Sequence, residues 1–539
     1  VSVELLIVMA GALLIAAFSR RSGFQANLII LVIAAAVSFI PNLPELEIDP
    51  EIILGIVLPP LLFSAARNFS FTTFVRNIRS IFALGVLLVL ATTVVTGFIA
   101  SWMLPGLGLA GAFVLASVIS PPDTVTAVSH GRSMGFPRRV VAILTGESLV
   151  NDATALTLFT LALVASRAED AFIPNPFLLF GYGVVVGVIV GAVLSLITSR
   201  IRASLTNPTL ATSIVILVPF AAYLIAEVLH ASGVLAVVMA GFFVSTDALY
   251  SRPGTASPVA HRIRLQEAEV WPVIDMLLET FVYVYIGLQL RFVIDDLVDS
   301  GESVGGVIVA GLVLLAVVIV IRPVWVFAAF GRRALERRMV ELRMLRDEDA
   351  RRLWDARVAR YNARIEKRNE RDRLKGRPVK VPRDRSAERD LSWKETVLLG
   401  WTGMRGIVTL AAAAGVPLLT SVGEPFPGRA SIQAIAFIVA IGTLVIQGFT
   451  VPILARRLRI DAADEDALER AHIARAEQLV SEVPRMASTS EMFEAQRHAV
   501  TMAVVTEEIA DDAARVVIRR IDLRQAAVEA HSDGDTAEL

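Results

Sequence analysis

The chain reads as an all-α polytopic membrane protein of about 13 transmembrane helices, with inverted six-helix repeats, two broken helices and a cytoplasmic C-terminal helical tail. Three observations predict this. First, a hydrophobic fraction of 55% and a mean hydropathy of +0.63 over 539 residues are too apolar for an ordinary soluble protein. Second, charged residues are segregated into a stretch after Phe330 and a tail after Ala455, leaving the apolar body nearly bare. Third, ionisable and helix-breaking residues stand inside a few of the apolar runs, where a plain anchor would have none.

The apolar runs fall at about 3–18, 26–40, 52–66, 78–103, 109–128, 139–165, 177–198, 209–229, 232–246, 270–290, 304–330, 395–419 and 430–455, which makes thirteen spans. The first has no basic residue before it and Arg20 and Arg21 after it, the reverse of a signal peptide, and is expected to remain as a span. Loops after odd-numbered spans carry the arginines, among them Arg67, Arg76 and Arg79, then Arg132, Arg138 and Arg139, then Arg200 and Arg202, then Arg262 and Arg264. Loops after even-numbered spans carry Glu45, Glu47 and Asp49, or Asp295, Asp296 and Asp299. Basic loops mark the cytoplasmic side, so the N-terminus is expected outside the cell membrane and the tail in the cytoplasm. The tight outer turn at His230 to Gly233 separates spans eight and nine; merging them would break this alternation.

Span six contains GESLVNDATALTLF, residues 146–159. Two carboxylates in a bilayer core of about 30 Å are expensive, and such groups usually line an aqueous path and have a partner. Glu147 and Asn151 are four apart on one helical face, and Ser148 and Asp152 are four apart on the adjacent one. One face can anchor the helix while the other offers a hydroxyl and a carboxylate to a hard cation.

Span five reads ASVISPPDTVTAVS, where Pro121 and Pro122 remove backbone donors and force the helix open. Span twelve has Gly400, Gly403, Gly406, Gly415 and Pro417 around Arg405, a second interruption. With spans one to six and eight to thirteen taken as two halves around span seven, each break falls fifth in its half, the arrangement that points to a secondary transporter's site. Pro59 and Pro60 should kink span three, either as plain packing or beside the site. Asp275 and Glu279, four apart in span ten, either tune a path or face a polar seam. Glu227 and His230 close span eight as interfacial residues.

The segment 331–394 has roughly twenty basic residues against a dozen acidic ones, and is a solvated helix with Glu-Arg pairs or a contact for anionic lipid. The tail, 456–539, is helical by composition and a candidate regulatory or dimer-supporting module. With no cysteine there is no disulfide, thiolate metal site or cysteine nucleophile, and no phosphate-binding glycine loop or zinc-ligand cluster occurs.

These motifs resemble the monovalent cation/proton antiporters, in the branch of prokaryotic sodium/proton antiporters related to animal sodium/proton exchangers. GESLVNDATALTLF looks like that branch's signature, ISPPDTVTA its first broken helix, and WTGMRGIVTLAAA its second. VLPPLLFSAA, HASGVLAVVMAGFF and IGLQL fit further segments, so the resemblance runs from about 50 to 455. It implies a transmembrane antiporter domain at 1–455, with core helices at about 78–165 and 304–455 moving elevator-fashion against dimerisation helices at about 1–66 and 177–290 of a homodimer. The implied partners are sodium, a proton and membrane lipid, with no cofactor, no enzymatic activity and no nucleic acid.

By position, the resemblance makes Asp152 the carboxylate that holds sodium and proton in turn, with Ser148 as a ligand. It places Asp123 at the crossing, pairs Glu147 with Arg405, and uses Asn151 as a brace. Two departures are visible. Pro122 stands where the family often has Thr, leaving its backbone carbonyl as a ligand, and Ser64, a possible site neighbour, stands where many relatives have an acid. Asn151-Asp152 places the chain in the branch whose members tend to be electroneutral, one proton for one sodium. The residues themselves agree with exchange, because a lone carboxylate away from water holds either a cation or a proton. Ligand number and distances decide between sodium, lithium and potassium, so a potassium- or lithium-preferring cation/proton antiporter is the alternative reading. A cation channel with Asp123 and Asp152 as an acidic ring is the competing class, against which the paired breaks and Arg405 stand.

Overall fold

The computed structural model describes residues 10–14, 26–41, 53–123, 131, 135–167, 175–250, 259–331, 391–419, 425–458, 463–484, 486 and 488–537, with single positions or pairs between 339 and 371. Most of the first apolar run, the part of span five after Asp123 and nearly all of 331–394 lie outside these residues. Among the described residues the regular structure is helical, with one isolated β-bridge between Leu419 and Pro425.

The membrane helices are α1 (Ala26–Ser38), α2 (Leu58–Asn68), the short α3 (Phe71–Arg76), α4 (Ile78–Met103), α5 (Gly108–Ile119), α6 (Arg138–Arg167), α7 (Pro176–Ser204), α8 (Pro208–Val228), α9 (Gly233–Tyr250), α10 (Ala260–Asp299) and α11 (Val304–Val326). They continue as α12 (Trp393–Trp401), α13 (Ile407–Ala414) and α14 (Arg429–Leu458), and the tail adds α15 (Ala463–Glu482), α16 (Thr489–Val505) and α17 (Asp511–Ala537). Seven of them, α4, α6, α7, α8, α10, α11 and α14, are long and apolar enough to cross a membrane. Shorter apolar helices at Ile29–Ser38, Pro105–Ile119 and Gly233–Thr246 fall on further expected spans.

Local chemistry sets the ends. The Asn207 side chain accepts from the N–H groups of Thr209 and Leu210, with Pro208 at the first helical position, so α8 starts there. Ser392 and Glu395 close a capping box at the start of α12. Pro59 and Pro60 follow directly on a wider π-type turn over Ile53–Val57, a local distortion of the kind that their missing N–H groups impose on a continuous helix. His230 turns the chain between α8 and α9 with φ at 53°.

Close packing relies on small residues, as expected where backbones must approach in lipid. A Cβ on Gly241 of α9 would fall 2.8 Å from the Phe63 carbonyl of α2, and one on Gly187 of α7 would fall 2.6 Å from the Ser232 carbonyl. The outward side of α7 keeps Val185, Ile189, Val193 and Leu196 exposed, as a lipid-facing stripe would. Two apolar clusters organise the interior. The larger joins α4, α5, α11, α12, α13 and α14 with α1 and much of α10. The smaller joins α2, α8 and α9 with Trp271 of α10 and Val408 of α13. Helix α6 belongs to both, through Val140, Ile143, Leu144 and Phe159 on one side and Leu149 and Ala153 on the other. It therefore stands in the seam between them.

Candidate functional site

The site is built where two opened chains cross beside α6. Helix α5 stops at Ile119, and Ser120 to Asp123 run on without helical structure. Residues 402–406 likewise separate α12 from α13. The Asp123 N–H donates to the Met404 carbonyl at 2.5 Å, so main chain ties the two openings together. Both interruptions sit where the prolines and glycines place them.

An opened helix at membrane depth leaves carbonyls and N–H groups to satisfy. Arg405 serves the carbonyl end of α5. Its Nε donates to Ile119 O at 3.1 Å, Nη2 to Ser120 O at 3.2 Å, and Nη1 to Gly403 O. Its own N–H reaches Thr443 Oγ1 at 2.9 Å. A cation there also meets the negative end of the helix dipole. At the opposite pole the Asp123 carboxylate lies against Gly406, the residue before α13; any side chain at 406 would occupy the place of Asp123 Oδ2. An anion thus stands near the positive end of α13.

Glu147 is fully buried, and its partner is Arg322 of α11. Arg322 Nη2 donates to Oε2 at 2.9 Å and Nη1 to Oε1, while its Nε donates to Leu399 O at 3.2 Å, capping α12. This corrects the expected Glu147–Arg405 pair. Arg405 spends its fork on the carbonyls at the crossing, whereas Arg322 lies flat on Gly403, where no Cβ obstructs it, and reaches α6 with bidentate geometry. Arg322 is the residue that sequence reasoning missed. The signal was present, because Arg322 is a charge inside the apolar run 304–330 and needs a partner as much as Glu147 does.

Asn151, also fully buried, donates from Nδ2 to Pro122 O at 2.5 Å, and its Oδ1 is buried without a hydrogen-bond partner among the described residues. One lone pair of the Pro122 carbonyl is therefore engaged and one remains. One helical face of α6 is thus consumed by structure, with Glu147 on Arg322 and Asn151 on Pro122. The adjacent face carries Ser148, 9% exposed, and Asp152, 7% exposed. Asp152 forms no ion pair among the described residues; the charges that act on it are those of Asp123 and Glu147. The structure thus brings Asp152, Ser148, Asn151, Pro122 and Asp123 to one crossing. Ser64 donates to Asp275 Oδ2 at 2.6 Å across α2 and α10, and Asp275 Oδ1 is buried without a hydrogen-bond partner among the described residues. The carboxylate absent from span three is supplied next to Ser64 from span ten.

With this geometry in place, comparison with known proteins is informative. Residues 5–457 match the family model described as sodium/hydrogen exchanger, transmembrane. An uncharacterized Na(+)/H(+) exchanger of Mycobacterium tuberculosis is 29% identical over 470 residues, covering 85% of this chain and 75% of the relative. A sodium, potassium, lithium and rubidium/H(+) antiporter of Bacillus pumilus is 27% identical, covering 78% of this chain and 56% of its own length. Among solved structures, the sodium proton antiporter MjNhaP1 from Methanocaldococcus jannaschii superposes with a TM-score of 0.60 over 84% of this chain and 97% of that one, at 17% identity, a likeness of fold.

Proposed function

The chain belongs to the sodium/hydrogen exchanger family, and from that premise we propose that it exchanges one sodium ion for one proton at Asp152, across the membrane in which it is embedded. The single observation that carries this reading is the division of labour along α6. Glu147 is neutralised by Arg322 and Asn151 is tied to Pro122, so the buried Asp152 is the carboxylate left for the transported ions.

In the proposed cycle, Asp152 and the Ser148 hydroxyl hold a partly dehydrated sodium, with the Pro122 carbonyl and water completing an oxygen shell. Releasing the ion leaves a bare anion in a poorly solvated place, which a proton then neutralises. Sodium and proton exclude each other. Only the neutralised site crosses at low cost, which couples the two flows. The Arg405 and Asp123 charges at the opened helices stay fixed, holding backbone groups beside the ion. Movement is proposed as an elevator-type displacement, in which α4–α6 and α11–α14 shift against α1, α2 and α7–α10, with a second copy of the chain steadying the latter. The N-terminus is assigned to the outside and the tail to the cytoplasm, by the arginine-rich loops.

A broader cation range is the second reading, favoured by the match to an antiporter named for sodium, potassium, lithium and rubidium. Both are tested by reconstituting the chain in liposomes and following internal pH after separate pulses of sodium, lithium and potassium. A sodium-driven alkaline or acid shift, set by the gradient, supports exchange. Ion conductance without proton counter-flow contradicts it.

A further inference from the structure

Helices α15, α16 and α17 fold together on a core of their own, including Ala476, Val500, Val517, Ile518 and Ile521. That bundle is fastened to the membrane helices at two separate places.

At the first, α15 holds the start of α6. Glu465 Oε2 accepts from the Arg138 N–H at 2.7 Å, and the Arg138 guanidinium pairs with Glu469 and, at 4.0 Å, with Asp466. The first N–H groups of a helix have no partner within it, and a carboxylate is the best group to supply one. The tail thus caps the helix that carries Ser148 and Asp152.

At the second, α17 holds α10, α2 and α9. Arg264 places a fork on Asp522, at 2.7 and 2.6 Å, and Arg497 of α16 joins the same carboxylate at 3.1 Å. The Asp522 side chain is 2% exposed, so this is a buried attachment. Arg262 and His261 both reach Glu529, at 2.7 and 3.0 Å. Arg515 donates to the Arg67 carbonyl at 3.3 Å and to Ser245 Oγ at 3.2 Å.

One attachment is on α6 itself, and the other is on α2, α9 and the N-terminal part of α10, the elements on the far side of the seam from the larger cluster. A rigid bundle gripping both sides holds them at one spacing. We propose that the tail is a clamp, which when docked restrains the displacement of α6 against α2, α9 and α10, and whose release from α6 speeds exchange. The inference rests on the exchange reading above. The attachment at α6 is the one to open first, because the Arg138 and Glu469 side chains are 25% and 20% exposed and water can replace their contact.

The test uses the full-length chain in liposomes. Glu465→Gln with Glu469→Gln loosens the grip on α6, and sodium-driven exchange is expected to rise about fivefold or more. Because the parent has no cysteine, Arg138→Cys with Glu469→Cys can be bridged by a cleavable bis-thiol crosslinker long enough to replace the two side chains. Unbridged, this pair should run faster than the parent; bridged, with the crosslink verified by mass spectrometry, it should fall well below the parent, with recovery on cleavage. Equal rates for the bridged and cleaved pair overturn the clamp, as does a slower but normally folded Glu465→Gln, Glu469→Gln variant. The parent is assayed first, so that an inert parent overturns the exchange reading and the clamp with it, whereas an active parent indifferent to both variants overturns the clamp alone.

Discussion

Glu147 of α6 receives two hydrogen bonds from the guanidinium of Arg322 on α11, and both side chains are essentially inaccessible to water. Removing either partner leaves the other as an unpaired buried charge, which commonly costs about 3–5 kcal/mol. Glu147→Gln and Arg322→Gln should each lower the melting temperature in detergent clearly more than Asp152→Asn does. The double variant should melt above either single one. A Glu147→Gln protein that melts like the parent would sink the pairing as a structural element.

Arg405→Lys should be nearly as damaging as Arg405→Gln. A lysine ammonium is a point charge and cannot span the carbonyls of Ile119, Ser120 and Gly403 as the fork does. Each lost bond to a charged group is worth about 1.5–3 kcal/mol, so stability and exchange should fall together. Parent-like exchange by Arg405→Lys would show that charge alone suffices there.

The polar face of α6 was legible in the sequence because carboxylates in an apolar run announce themselves, and the openings at Pro121-Pro122 and around Gly403 followed from missing donors and missing side chains. Partnership was not legible. Arg322 and Arg405 were equally able to balance Glu147, and only the crossing geometry, which commits Arg405 to backbone carbonyls, separates them. Ser64 and Asp275, 211 positions apart, and Arg138 and Glu465, 327 apart, meet through packing that no local periodicity records.

The tail should also loosen in mild acid. His472 on α15 is held below the ordinary imidazole value of 6.5 by burial and by the Arg76 charge, partly offset by a hydrogen bond with the Glu508 backbone. Docking therefore disfavours the protonated ring. This contribution is fully present above the ordinary value and is lost as pH falls from there through the lowered one. At Glu465 burial raises the carboxyl, while the Arg138 N–H and the Arg138 and Arg139 guanidinium groups draw it back toward the carboxylate that caps α6. The rate of the parent divided by that of His472→Gln should thus change as pH falls through about 6.5, the parent gaining. A ratio flat across that range would remove His472 from tail control.

One proton per sodium follows if Asp152 alone titrates during the cycle, since Glu147 is paired and Asn151 cannot. A potassium-diffusion potential imposed on liposomes with a fixed sodium gradient should then leave the exchange rate unchanged. A net charge would shift the balance by about 2.3 kcal/mol per 100 mV, which is easily seen. Voltage dependence would bring in Asp123 as a second proton carrier.

The most direct test of the account is Asp152→Asn in the reconstituted chain, assayed for sodium-driven change of internal pH beside a melting curve of the same preparation. The substitution removes the anion for sodium and the acceptor for the proton while keeping size and helix. Exchange at the level of empty liposomes with a parent-like melting temperature is the predicted result; near-normal sodium-driven exchange would contradict the assignment of Asp152.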